Sequence, residues 1–194
     1  MKDGVKIFLF ICVIALAWGI GLCADPACAT HTRALAIDYA LRKLVYEGLP
    51  EHKIEPCPSC PGARRNADRR RLSRAIAEAS TRYSIDPGLL GAIAFREGAF
   101  RAEVVGGLNE GSTFQIVPAQ AKRLKCDLST HAGAADCSAK MLSLGRIHCG
   151  DLEGAILFYA TGRTCEPDTP RLKWMLRDRL GIARRLNAWI AEAL

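Results

Sequence analysis

A chain of 194 residues with no repeat at a fixed period has room for one ordinary domain and is not a solenoid. Its net charge of +7 draws it toward anionic surfaces such as cell-wall polymer, lipopolysaccharide, phospholipid or nucleic acid. No aromatic interleaving or nucleic-acid fold signature accompanies the arginines, which argues against nucleic acid.

Residues 1–29 read separately from the rest. Lys2 and Lys6 precede an uncharged apolar run over 7–22, which is short for a membrane span and suits the h-region of a secretory signal. Ala27-Cys28-Ala29 offers a cleavage site, cleavage after Ala24 is a second one, and an uncleaved anchor is the alternative. Of the nine cysteines, Cys12, Cys23 and Cys28 would leave with a leader cut at Ala29. Cys57, Cys60, Cys126, Cys137, Cys149 and Cys165 would remain, an even set that suits disulfides in an exported protein. Proximity along the chain favours Cys126–Cys137 and Cys149–Cys165, with Cys57–Cys60 third. Removing residues 1–29 takes away two lysines and two aspartates, so the charge of the mature chain is unchanged.

From Arg33, Ile37, Leu41, Leu44 and Val45 recur at helical spacing. Residues 50–62 are proline-rich, lack periodicity and read as a linker pinned by Cys57 and Cys60. A redox or metal use of that C-x-x-C lacks both a βαβ context and enough nearby ligands, since only His52 is close. The arginines at 64, 65, 69, 70, 71 and 74 read as a solvated helix face. Leu72, Ile76, Ala79 and Tyr83 form a stripe. Asp86 then reads as an N-cap and Pro87 as the first helical residue of the next helix. Residues 103–117 mix glycines with β-branched residues and predict a short hairpin or irregular loop. Helical runs follow over 118–124, 134–147 and 152–159. Thr169 and Pro170 open a last helix with Leu172, Leu176, Leu180, Ala183, Leu186 and Ile190 on one face. The expected fold is mostly α, with a small irregular or β element after Glu97.

Glu97 stands on the stripe of Leu90, Ile93 and Ala94. A poorly solvated carboxyl group there is a candidate general acid, although a glutamate near a helix end is ordinarily a surface residue. The surrounding motifs, YSIDPGLLGAIAFREGAF, then GSTFQIVP, then LFYATG, resemble in order and separation those of the lytic transglycosylases, lysozyme-like domains typified by the soluble enzymes of Gram-negative bacteria. The resemblance covers about residues 72–165. It implies a lysozyme-like α+β domain in which Glu97 is the catalytic acid, Gln115 hydrogen-bonds the sugar and Tyr159 lines the cleft. On the residues alone, Gln115 reads first as a solvent-facing strand residue and Tyr159 as a core aromatic at helical spacing. Gly98 departs from the serine that commonly follows the glutamate, Ser112 stands where a glycine usually begins the glutamine segment, and Ala160 replaces an asparagine.

The expected organisation is a signal or anchor over 1–29, an N-terminal helix and Cys/Pro linker over 30–71, the lysozyme-like domain over 72–165 and a C-terminal helix over 166–194. The activity that the resemblance implies is cleavage of the β-1,4 link between N-acetylmuramic acid and N-acetylglucosamine, leaving 1,6-anhydro ends. The expected setting is the periplasm, or the inner membrane facing it if the anchor is kept. Peptidoglycan strands are the expected partner, with an envelope-spanning assembly as a possible second. Neither a metal nor an organic cofactor is implied. A hydrolytic muramidase would need a second carboxylate, for which Glu103 and Glu110 are candidates. A non-catalytic peptidoglycan-binding protein is the other alternative.

Overall fold

The computed structural model describes residues 25–56, 66–100 and 112–194. They are mostly helical, as the periodicity predicts, in seven α-helices. These are α1 Pro26–Glu47, α2 Asn66–Tyr83, α3 Pro87–Gly98, α4 Pro118–Leu124, α5 His131–Cys149, α6 Leu152–Thr161 and α7 Pro170–Ala193. A 3-10 turn, Pro50–His52, follows α1, and Leu49 and Ile54 form an isolated antiparallel bridge around it. None of these helices is long and apolar enough to cross a membrane.

Helix starts lie where small polar residues and prolines stand. Asp86 Oδ1 accepts from the Leu89 amide at 2.7 Å, and the Thr169 hydroxyl accepts from the Leu172 amide at 3.2 Å, with Pro87 and Pro170 in the first turns. α1 starts earlier than the apolar pattern indicates. Asp25 caps it by accepting from the Ala27 amide at 2.9 Å. The helix therefore runs across Ala29, and Cys28 within it is disulfide-bonded.

α3 is the central helix. Gly88, Leu89, Leu90, Gly91, Ala92, Ile93 and Ala94 are all buried, so its apolar surface extends all round rather than along one stripe. α7 crosses it closely: a Cβ on Gly88 would lie 2.5 Å from the Ala183 carbonyl oxygen. α1 packs on α2 and α7, α2 on α5, and α5 on α6. The terminal helices α1 and α7 thus share one core with α2–α6, contributing Ile37, Leu41 and Leu44 from one and Ile182 and Leu186 from the other.

One part of the arginine cluster departs from the solvated face expected of it. Arg69 is buried and donates to Asp38 of α1 through Nε at 2.8 Å and Nη2 at 3.3 Å. Its spacing from Leu72 and Ile76 puts it on the core-facing stripe, where a guanidinium needs a partner. Arg70, Arg71 and Arg74 are exposed as expected. Arg64 and Arg65 lie outside the described residues, as do Cys57 and Cys60.

Cys126–Cys137 and Cys149–Cys165 are bridged, with Cα separations of 5.6 and 5.4 Å. The first ties the loop before α5 to that helix; the second ties the end of α5 to the loop after α6. His148 lies near the second pair, but both thiolates there are consumed by the bridge. Removing this bridge with Cys149→Ser and Cys165→Ser is expected to cost about 3 kcal/mol. Thermal unfolding with and without reductant checks this, and the doubly substituted protein should lose its response to reductant at this bridge.

Candidate functional site

Glu97 lies in the last turn of α3, after a run of buried residues and before Ala99, which ends the helix at φ 46°. Its side chain is about a quarter exposed, at 24%. Arg179 of α7 donates from Nη2 to Glu97 Oε1, and Arg179 is itself buried. The adjacent residues make a second tie. Arg96 donates to Asp178 through Nε at 2.7 Å and Nη2 at 2.6 Å, a two-point contact of the kind that fixes orientation as well as distance. Two successive pairs of opposite polarity therefore clamp the end of α3 to the middle of α7.

Asp178 also meets His52 Nδ1 at 3.2 Å, while Arg96 Nη2 donates to the His52 carbonyl at 2.9 Å. Gly181 makes room for this ring, since a Cβ there would lie 2.1 Å from His52 Cε1. The Pro50–His52 turn, read from sequence as linker, is thereby locked to the α3–α7 crossing.

Tyr159, near the end of α6, donates its hydroxyl to the Phe114 carbonyl at 2.8 Å, and Ser138 donates to Tyr159 Oη at 3.4 Å. Burial pushes the phenol's pKa above its ordinary value; the Ser138 hydrogen bond and Arg179 oppose the rise, and the neighbouring Glu97 charge adds to it. The charges of Glu97 on α3 and Arg179 on α7 thus both bear on Tyr159 of α6. Because the raised pKa is that of an acid kept neutral by the fold, its stability contribution is present below the ordinary value of 10.0 and is lost as pH rises toward the folded value. Tyr159→Phe is expected to unfold with a shallower alkaline loss of stability above that pH, read from denaturant midpoints against pH.

Gln115 sits beside this group, one residue after Phe114. The turn over 112–115 is held by fully buried Thr113 and Phe114, with Ile116 buried just after it. Ser112 and Gln115 both adopt left-handed backbone, φ 72° and 48°. At Ser112 that is the conformation glycine adopts most easily, which supplies a physical reason for the glycine usual at this place in the motif. Gln115 Nε2 donates to the Ser112 carbonyl at 3.0 Å, so the amide nitrogen of the expected sugar contact is engaged within its own turn.

Gly98 has a steric reason. A Cβ on it would lie 2.6 Å from the Thr113 carbonyl oxygen and 2.9 Å from Thr113 Cα, both backbone atoms. The glutamine turn packs directly on the helix end that carries Glu97, and serine does not fit there. Gly98→Ser is expected to destabilise the protein by about 1–3 kcal/mol through forced backbone movement. Chemical denaturation measures that loss.

Of the three residues singled out from the sequence, Tyr159 is hydrogen-bonded to the residue before Gln115, and its raised pKa owes part of its rise to the Glu97 charge. Arg179 and Asp178 escaped the sequence reading because each follows a leucine-rich helical pattern and looks like an ordinary surface charge. Glu103 and Glu110, the candidate second carboxylates, lie outside the described residues, as does most of the predicted hairpin. Its described part, 112–117, is a turn over 112–115 followed by a bridge residue at Ile116, which fits the irregular-loop alternative as well as a hairpin.

Comparison of the chain with protein-family models, with curated proteins and with solved structures finds no match to any of them.

Proposed function

We propose that the protein is a peptidoglycan lytic transglycosylase in which Glu97 serves as acid and then as base. The observation that supports this most is the convergence of motif residues far apart in the chain. Tyr159 is hydrogen-bonded to the residue before Gln115, and the Glu97 charge contributes to the raised pKa of its phenol. In this reading Glu97 gives a proton to the glycosidic oxygen as an oxocarbenium-like centre develops on the muramyl ring. The resulting carboxylate then takes the proton from the muramyl C6 hydroxyl, and closure of the C6 oxygen onto C1 leaves the 1,6-anhydro end. One carboxyl group suffices because the nucleophile belongs to the substrate, whereas glycosidases that use water generally employ two.

Arg179 bears unequally on the two halves. In the second half Arg179 Nη2 can go on donating to Glu97 Oε1 while the other carboxylate oxygen accepts the C6 proton. For the first half, Glu97 must exchange Arg179 for the glycosidic oxygen. The same pair favours a second reading, in which Glu97 only ties α3 to α7 and the protein binds peptidoglycan without cleaving it.

Export belongs to the proposal. Of the two leader sites, cleavage after Ala24 keeps Asp25 as the cap of α1 and keeps disulfide-bonded Cys28, whereas cleavage after Ala29 removes both. The test of function is mass spectrometry of fragments released from purified sacculi. Ends lacking one water support transglycosylase chemistry, and reducing ends make the protein a muramidase. Binding without release supports the non-catalytic reading.

A further inference from the structure

Beyond Tyr159, a cleft of about 560 Å³ opens between the end of α6, the loop over 162–169 and the start of α7. That is within the range of roughly 300–1,000 Å³ usual for small-molecule sites. It adjoins the candidate site on two elements. Ala160, on its wall, directly follows Tyr159, and Leu172 and Met175 on its other wall share a helical stripe with Arg179, at spacings of three and then four residues. Cleft and candidate site thus draw on the same two helices, α6 and α7.

The charges on its lining are Arg163, Arg171 and Asp168, all exposed, which leaves the wall net positive. Among the described residues neither arginine forms an ion pair, unlike Arg69, Arg96 and Arg179, which all do. The threonines of the lining are committed to the backbone. The Thr161 hydroxyl donates to the Leu157 carbonyl at 2.8 Å, that of Thr164 donates to the Glu166 carbonyl at 3.0 Å, and that of Thr169 caps α7. Loop conformation is thereby set by the threonines and by Cys149–Cys165, and the unpaired recognition chemistry rests with the arginines. Planar guanidinium groups match carboxylates at two points, and Leu172 and Met175 supply apolar surface beside them.

We propose that this cleft recognises the carboxylate-bearing peptide carried by the muramyl lactyl group of the glycan. This assignment rests on the peptidoglycan reading above and adds the part of the substrate it grips. A polymer threaded past Glu97 would then be read by its peptide as well as by its sugars.

The test uses the full chain in mild detergent and compares two soluble probes by calorimetric titration: a disaccharide-peptide fragment of peptidoglycan and the same disaccharide without peptide. The unsubstituted protein is expected to bind the peptide-bearing probe about tenfold more tightly, from charge-assisted hydrogen bonds that the other probe lacks. Arg163→Gln with Arg171→Gln is expected to erase that difference and leave the melting temperature unchanged, because both side chains are exposed. Equal affinity for the two probes, no binding of either, or discrimination that survives the double substitution would overturn the proposal. Release of fragments from sacculi is scored separately. Peptide discrimination without release upholds this assignment and removes the catalytic reading, while release without discrimination does the reverse.

Discussion

Replacing Glu97 by glutamine is expected to lower fragment release from sacculi by roughly 10²–10⁴-fold, the usual contribution of a positioned acid or base. The substitution is the informative one because of Arg179. Glutamine keeps a carbonyl oxygen that can accept from the Arg179 guanidinium, so the α3–α7 contact persists in neutral form. In the proposed mechanism, the proton that moves to the glycosidic oxygen is gone. Thermal melts should therefore change by only a few degrees while activity falls by orders of magnitude. If release were unchanged, or if none were seen with either protein while sacculus binding persisted, Glu97 would be a structural tie and the protein a binding module. Alanine is the weaker choice, since it leaves buried Arg179 without this partner and confounds stability with chemistry.

The largest expected effect on stability comes from Asp178→Ala. Asp178 is only 4% exposed and receives two hydrogen bonds from Arg96 and a contact from His52. Its removal leaves the Arg96 guanidinium partly buried without a counter-charge and frees the His52 ring from the α7 surface. Breaking one partner of a buried pair costs about 3–5 kcal/mol; because Arg96 keeps some solvent access, the lower end is expected here. For a domain of this size that is a fall in Tm of roughly 10 °C. The loss arises from an orphaned charge rather than from missing attraction. The double substitution Arg96→Met with Asp178→Leu should therefore recover most of the stability, as apolar replacement of a whole pair generally does. If the double variant were as unstable as the single one, the charge pair itself, rather than the orphaned arginine, would account for the stability. The position next to Glu97 adds a second readout: activity should fall with Asp178→Ala, since the helix end carrying the carboxylate is no longer clamped on both sides.

Signals that act within a turn or two of helix were legible in the chain. Asp86, Thr169 and their prolines mark helix starts because an amide donor three residues on finds the side-chain oxygen locally. Leu90, Ile93 and Ala94 mark a buried face because their spacing matches the helix. The two bridged cysteine pairs are close in sequence, 11 and 16 residues apart, so proximity sufficed to pair them.

What only the tertiary structure decided lies between elements distant in the chain. Arg96–Asp178 and Glu97–Arg179 each span 82 residues, and whether those charges meet depends on where α3 crosses α7. That crossing needs a glycine at Gly88, where the α7 backbone approaches, just as Gly98 admits the backbone of the 112–115 turn, and neither role is visible until the neighbour is in place. Arg69 likewise reads as one of a solvated arginine run until α1 brings Asp38 to it. The chain by itself determined a mostly helical protein and where its helices α3 and α7 start, because periodicity and capping are local. The tertiary structure decided which charges are neutralised, where backbone forbids a side chain and which arginines form no ion pair among the described residues beside a cleft, because pairing and exclusion depend on distances across helices.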